Sequence, residues 1–298
     1  MVEYKYKLST SSRKYVCPHC GHKTFTPYVD RANNIIDVEK FGRCDRENNC
    51  GYLLYPTDVE THIVEGDIPD PAPQKPMRIN ITPKQEASNL FFYACDLIGI
   101  DKAVKAWCDY KIGSYNDGVV FYQIDHNYEV HSGKVIYYQD NGHRRKDKMP
   151  TWLHKLPSYT TKIVGDTLVQ CFFGQHLITP DVKEIVIVES EKTAALYSQI
   201  DARGRTYIAT GGADLLPSLA ERAMAQGLFN RKKVILIPDN GMYKKWLKVA
   251  TKYNWKIDDI CDHVDEVGCD ILDCYEWLKN EPNKLTNNEE LLRYICDK

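Results

Sequence analysis

Two sets of residues in this 298-residue chain have the types and spacing to do chemistry. The first is cysteine. VCPHCGHKTF carries Cys17-x2-Cys20, and FGRCDRENNCGY carries Cys44-x5-Cys50, with 23 residues between the pairs. Two thiolates on a tight knuckle sit close enough to share one tetrahedral Zn²⁺, and a second pair from another hairpin completes a four-sulfur structural site. Gly21 and Gly51 each follow a cysteine and let the knuckle turn. His19 or His22 could replace a thiolate, but the four-cysteine set is simpler. Ordinary reduced thiols would leave two glycine-followed pairs without explanation.

The second set is acidic. KVILIPDNG (233–241) is an apolar run that stops at Asp239, and EIVIVESEKTAAL (184–196) is another that stops at Glu189. A third run ends at Thr210-Gly211-Gly212. Taken singly, Glu189 reads as a helix N-cap and Asp239 as a turn residue. Taken together, with a glycine pair that admits phosphate close to the backbone, they read as a site for Mg²⁺ or Mn²⁺. GCDILDCYEWL (268–278) adds Asp270 and Asp273, which share one face if the segment is helical. A solvated acidic helix is the other reading of that pair.

The elements that must position these residues follow from periodicity. From residue 184 onward apolar strands alternate with amphipathic helices: EIVIVE then SEKTAALYSQI, RTYIAT then ADLLPSLAERAMAQG, KKVILIPD then MYKKWLKVATKYN. That alternation implies a parallel sheet covered by helices on both faces. Ligands of such sheets sit at the carboxyl ends of the strands, where Glu189, Gly211, Gly212 and Asp239 all fall. Upstream, PKQEASNLFFYACDLIG predicts a helix from Pro83 and DKAVKAWCDY a second. GVVFYQIDHNYEVHSGKVIYYQD predicts a hairpin, and TLVQCFFG a short strand. The organisation expected is a zinc ribbon over 1–64, a linker over 65–83 with five prolines, a basic mixed α+β subdomain over 84–180 and an α/β domain over 181–298.

Charge is distributed unevenly within a net −2. His131 to Lys162 holds seven Lys/Arg against two acids, whereas Lys256 to Glu281 holds two against nine. One face for a polyanion and another for cations would account for this, as would two solvated faces of opposite sign. Lys5, Lys7, Arg13, Lys14 and Lys23, with Tyr4, Tyr6, Tyr15 and Phe25, suggest that the ribbon stacks on single-stranded bases. A tyrosine-rich protein-binding surface would look the same. No apolar run reaches the roughly 18 residues of a membrane helix, and the start lacks a signal-peptide core. Eleven cysteines without an export signal fit reduced thiols and a metal in a cytoplasmic protein.

Glu at one strand end, a Gly-containing turn and Asp at a later strand end resemble the TOPRIM domain. That domain is shared by bacterial primases, topoisomerases, certain nucleases and recombination mediators. Ribbon, linker, basic domain and TOPRIM in that order look like the primase-like proteins of phages and bacterial mobile elements. GVVFYQIDHNYEVHSGKVIYYQDNGHR is similar to the segment preceding TOPRIM in that group. The resemblance implies that Glu189 is the general acid/base, that Asp239 is the first acid of an Asp-x-Asp metal motif, and that Asp270 and Asp273 are a late acidic pair. It departs from the family at Ser190, where many members have Gly, and at Gly241, where the second acid of Asp-x-Asp would stand. The implied chemistry is phosphoryl transfer: nucleoside triphosphates are joined into short primers on single-stranded DNA with Mg²⁺ or Mn²⁺. Lys134, Arg144, Arg145, Lys146, Lys148, Lys192, Gly211 and Gly212 would line the path of template or triphosphate. Trp152 and His154 would stack on bases or fill the core. A separate helicase or replication protein is the further partner this implies, since no G-x-x-x-x-G-K-[ST] loop is present. The missing acid keeps open a non-catalytic DNA clamp of the recombination-mediator type. A TOPRIM nuclease is the third reading.

Overall fold

The computed structural model describes residues 6–46, 50–56, 75–285 and 289–296, and the chain divides into two compact units, residues 1–70 and 71–298. Tyr4, Lys5 and the first ten residues of the proline-rich segment lie outside the described residues.

The first unit is a four-stranded antiparallel sheet in sequential order: β1 (Lys7–Leu8), β2 (Phe25–Val29), β3 (Gly42–Cys44) and β4 (Leu53–Leu54). β2 is buried along its whole length because it lies between neighbours. Among the described residues its core is small: one cluster of Cys17, Phe25 and Cys44, edged by Tyr15, Cys20, Cys50 and Tyr52, with Tyr28, Val29 and Phe41 buried beside it. Such a core cannot carry a fold unaided, so a metal is the expected staple. Gly42 is forced: a Cβ there would lie 2.4 Å from the Phe25 ring. One sequence expectation for this unit needs correction. Phe25, at 0% exposure, is core and cannot stack on a base. Lys14 is bound to Asp45 at 2.7 Å and to Thr26.

In the second unit, β5 (Arg78–Ile79) follows the proline-rich segment. Two helices come next, α1 (Asn89–Ile98) and α2 (Ile100–Tyr110). α1 starts six residues later than Pro83 because Ser88 caps it, accepting from the Phe91 amide. A meander follows: β6 (Gly113–Tyr115), β7 (Gly118–Ile124), β8 (Val130–Ile136) and β9 (Thr151–Trp152). The expected hairpin is β7 and β8, whose register runs from Val119↔Ile136 to Ile124↔Val130. After α3 (Pro157–Thr160), β10 (Ile163–Val164) pairs back on β5, so the end of the proline-rich segment is built into this unit. TLVQCFFG is not a strand; it makes isolated bridges at Thr167 and Phe173.

The remainder alternates as the periodicity requires: β11 (Glu184–Val188), α4 (Glu191–Tyr197), β12 (Thr206–Ala209), α5 (Leu216–Ala225), β13 (Lys233–Leu236) and α6 (Tyr243–Tyr253). A two-residue β14 (Lys256–Ile257), α7 (Ile271–Asn280) and α8 (Glu289–Cys296) complete it. The sheet order is β12-β11-β13-β14, all parallel. Strand residues alternate between two cores. Ile185, Ile187, Ile208, Val234 and Leu236 meet α5 and α6, whereas Val186, Val188 and Ile235 meet α4, α7 and the two early helices. Phe121 and Ile136 of the meander join that second core. The stretches 84–180 and 181–298 therefore pack as one compact unit. Because the chain goes from β11 to one neighbour and returns to the other, the order reverses between β11 and β13. A crevice must open at their carboxyl ends.

Candidate functional site

Glu189 follows β11 and Asp239 follows β13, so adjacent parallel strands deliver both acids to that crevice. Glu189 is not the cap of its helix. Ser190 fills that role, accepting from the Thr193 amide, which leaves the Glu189 carboxyl to the crevice. Burial raises its pKa, and the Ala213 amide, Lys134 and Lys245 oppose that rise. The turn after β12 is fixed by Gly211, whose amide donates to the Glu189 carbonyl at 2.8 Å and whose φ is +74°. A Cβ there would come within 2.7 Å of Glu191 Oε1.

Asp239 is the most strained member electrostatically. Its Oδ1 is buried and, among the described residues, has no hydrogen-bond partner. Burial first, then the charges of Asp270, Glu189 and Asp273, push its pKa up to about 9. Asp270 is spoken for. It caps α7 through Oδ1 to the Leu272 and Asp273 amides, and its Oδ2 accepts from the Thr193 hydroxyl. Asp273 closes the capping box by accepting from the Asp270 amide at 3.0 Å. The two acids are thus cap and third helical residue rather than neighbours on one helix face. Burial and Asp270 raise Asp273 to about 6, against the pull of Lys192.

These acids line a cleft of about 710 Å³ together with Lys134, Arg144, Arg145, Lys146, Lys148, Lys192, Gly211 and Gly212. Every acid, lysine and arginine assigned to the site from sequence is therefore on its wall, with Gly211 and Gly212, whereas Gly241 is not. Their states differ. Arg145 is held by Asp147 at 2.5 Å and by Asp117, which Lys148 also binds. Lys134 donates to the Gly211 carbonyl at 2.6 Å and pairs with Glu191 at 3.4 Å. Lys192 reaches the Gly142 carbonyl over the Tyr93 ring. Among the described residues, Arg144 and Lys146 have no ion-pair partner. Trp152 and His154 do not line the cleft; His154 Nδ1 meets the buried Ser132 hydroxyl at 2.7 Å. Glu191, 6% exposed, is a cleft acid that sequence reasoning passed over, because an acid in the first turn of a helix is ordinary dipole chemistry.

The donor set suits a hard cation: carboxylate oxygens only, one of them buried and unpartnered. No three carboxylates of the cleft converge as the four sulfurs do; among the described residues the sole group whose ligand atoms all lie within 4.8 Å is Cys17, Cys20, Cys44 and Cys50. An ion in the cleft would therefore take one or two side chains and leave positions for phosphate and water, which is the habit of Mg²⁺.

The sulfur set is closed. Cys17–Cys50 and Cys20–Cys44 stand 3.8 and 3.9 Å apart, and sulfurs about 2.3 Å from a central zinc lie about 3.8 Å from one another. Gly21 (φ +68°) and Gly51 (φ +64°) make the knuckles. His22 is occupied by the Cys20 carbonyl, and His19 lies against Cys50 from outside. Without a metal the thiols diverge: the His22 amide lowers Cys20 to about 6, while burial pushes Cys50 up to about 12. A divalent ion would hold all four as thiolates.

Residues 4–63 match a family model described as "Zinc beta-ribbon finger, putative", in agreement with that geometry, and the chain carries an N-terminal zinc ribbon. No curated protein matches the chain. Among solved structures, the primase fragment of the bacteriophage T7 primase-helicase protein is similar at 18% identity and a TM-score of 0.40, covering 61% of this chain and 69% of that one. A chain from the bacteriophage T7 lagging-strand DNA polymerase with primase domains of two gp4 subunits, bound to an RNA/DNA hybrid and dTTP, is similar at 17% identity and a TM-score of 0.39. There the coverage is 61% of this chain and 84% of that one. Residues 88–240, which include the meander, the first three parallel strands and the cleft acids Glu189 and Asp239 but not Asp270 or Asp273, match the model described as Domain of unknown function (DUF6371), and the chain belongs to that family.

Proposed function

We propose that the chain is a primase-like nucleotidyltransferase of the TOPRIM kind, making short primers from nucleoside triphosphates on single-stranded DNA for a phage or mobile element. The observation that carries this reading is the buried Asp239 Oδ1 beside Glu189, in a cleft whose other residues include the cations Arg144 and Lys146; among the described residues the first has no hydrogen-bond partner and the two cations no ion-pair partner. A bound Mg²⁺ or Mn²⁺ would neutralise triphosphate charge and favour in-line displacement. Asp239 and Asp273 are the side chains to hold such an ion, with Asp270 positioning Asp273 through the capping box. Glu189 would take the proton of an attacking hydroxyl. Arg144 and Lys146 would bind phosphates, and Lys134 and Lys192 would brace the walls. The ribbon would contact template, and a separate helicase or replication protein would act alongside.

The test is incorporation of labelled nucleotides on single-stranded DNA with Mg²⁺ or Mn²⁺. Product is expected from the wild type and none from Glu189→Ala. A second reading, a DNA clamp without turnover, draws on one observation. Gly241 is exposed at φ +88°, donating its amide to Asp262 at 2.7 Å, so the turn itself requires a glycine where the Asp-x-Asp motif has its second acid. Retained DNA binding without any incorporation would favour the clamp.

A further inference from the structure

We infer that the outer face of α6 is a second track for a single-stranded nucleic-acid backbone, beginning beside the cleft. The inference rests on the reading that the cleft acts on nucleic acid.

α6 buries Trp246, Val249 and Ala250 against the sheet and exposes Lys244, Lys245, Lys248 and Lys252. MYKKWLKVATKYN contains no acid, in a chain where acids outnumber Lys and Arg by 41 to 39. At 100° per residue Lys244, Lys248 and Lys252 fall on one stripe, about 12 Å long, so one strand can run along it and meet more than one phosphate. The arrangement opposes helix stability in two ways. Lys244–Lys248 and Lys248–Lys252 are like-charge pairs at i,i+4 spacing. Lys244 and Lys245 occupy the first turn, the end at which the helix dipole repels cations. None of these charges is needed for packing, and a surface made only for solubility mixes both signs. A polyanion laid along the stripe removes both penalties.

Continuity with the cleft comes from one chain connection and one ion pair. α6 begins four residues after Asp239, and Lys245 is ion-paired with Asp214 in the turn that follows Gly212. That leaves Lys244 and Lys248 without an ion-pair partner among the described residues, while Lys252 lies over the Tyr253 ring. An anionic membrane is a poorer occupant, because the apolar side of α6 is spent on the core and Leu247 is the one large apolar residue it exposes.

The experiment compares the wild type with Lys244→Gln/Lys248→Gln/Lys252→Gln. Binding of a labelled oligothymidylate is measured across a salt series, beside binding to phosphatidylserine vesicles and a thermal melt. Three lost phosphate contacts should lower the slope of log K against log salt by about 2, with the melt unchanged or raised. An unchanged slope would overturn the inference, and so would loss of vesicle binding with DNA binding intact. Nucleotide incorporation reports on the cleft separately. A reduced slope in a protein that incorporates nothing would leave the α6 track standing and remove the primase reading. An unchanged slope in an active primase would do the reverse.

Discussion

Asp239 carries a penalty that a binding site explains and a fold does not. Burial and the neighbouring carboxylates push Asp239 up to about 9, so between the ordinary carboxylate range and that pH its contribution to metal-free stability should fall as pH rises. Asp239→Asn removes the titration. In the presence of chelator it should melt higher than the wild type, by an amount that grows with pH to on the order of 2 kcal/mol at the alkaline end. The same variant should lose Mg²⁺ or Mn²⁺ binding by calorimetry. A variant that melts lower than the wild type at every pH would show that Asp239 has a partner in the folded state. Gly211→Ala is expected to act in the opposite sense. Its positive φ and the 2.7 Å approach to Glu191 should cost about 1–3 kcal/mol in a denaturant titration.

At the scale of elements, the ribbon and the α4 cap give separate expectations. The first unit's core is too small to hold its sheet without metal. The purified chain should therefore contain about one zinc per molecule by elemental analysis. Cys44→Ser should abolish it and expose the β2 and β3 amides to hydrogen exchange, leaving those of β11 and β13 protected. Uniform protection with no zinc present would mean that the four thiols stand together without a metal role. Ser190→Ala should destabilise α4 by about 1 kcal/mol, since the hydroxyl satisfies the Thr193 amide. Where Ser190→Gly leaves more stability than Ser190→Ala, capping rather than chemistry explains why serine serves at this position.

For the whole molecule, the cations of the cleft should not be equal. Arg144→Ala with Lys146→Ala should lower the salt slope of single-strand binding by about 1.4, because neither has an ion-pair partner among the described residues. Arg145→Ala should change it less, its guanidinium being held by Asp147 and Asp117. Equal effects would mean that those ion pairs open on binding. No helix among the described residues is long and apolar enough to cross a membrane.

Much of this was legible in the sequence because it is local. Strand runs stopping at Glu189 and Asp239, a glycine pair between them and two cysteine knuckles are short-range patterns, and a parallel sheet then brings the acids to one edge by topology. β14 escaped notice because two residues carry no period. The cap of α4 fell to Ser190 rather than Glu189 because backbone dihedrals, not residue order, decide which side chain faces the orphan amides. What only the tertiary structure decided was the state of each charge. Sequence lists Arg144, Arg145, Lys146 and Lys148 as equivalents, and packing ties two of them to Asp117. Sequence offers Asp239, Asp270 and Asp273 as three acids, and packing makes one a cap, one its partner in the capping box and leaves one buried without a partner. Residue types set which groups can ionise, but burial and partners 28 to 77 residues away along the chain set which of them remain free to bind.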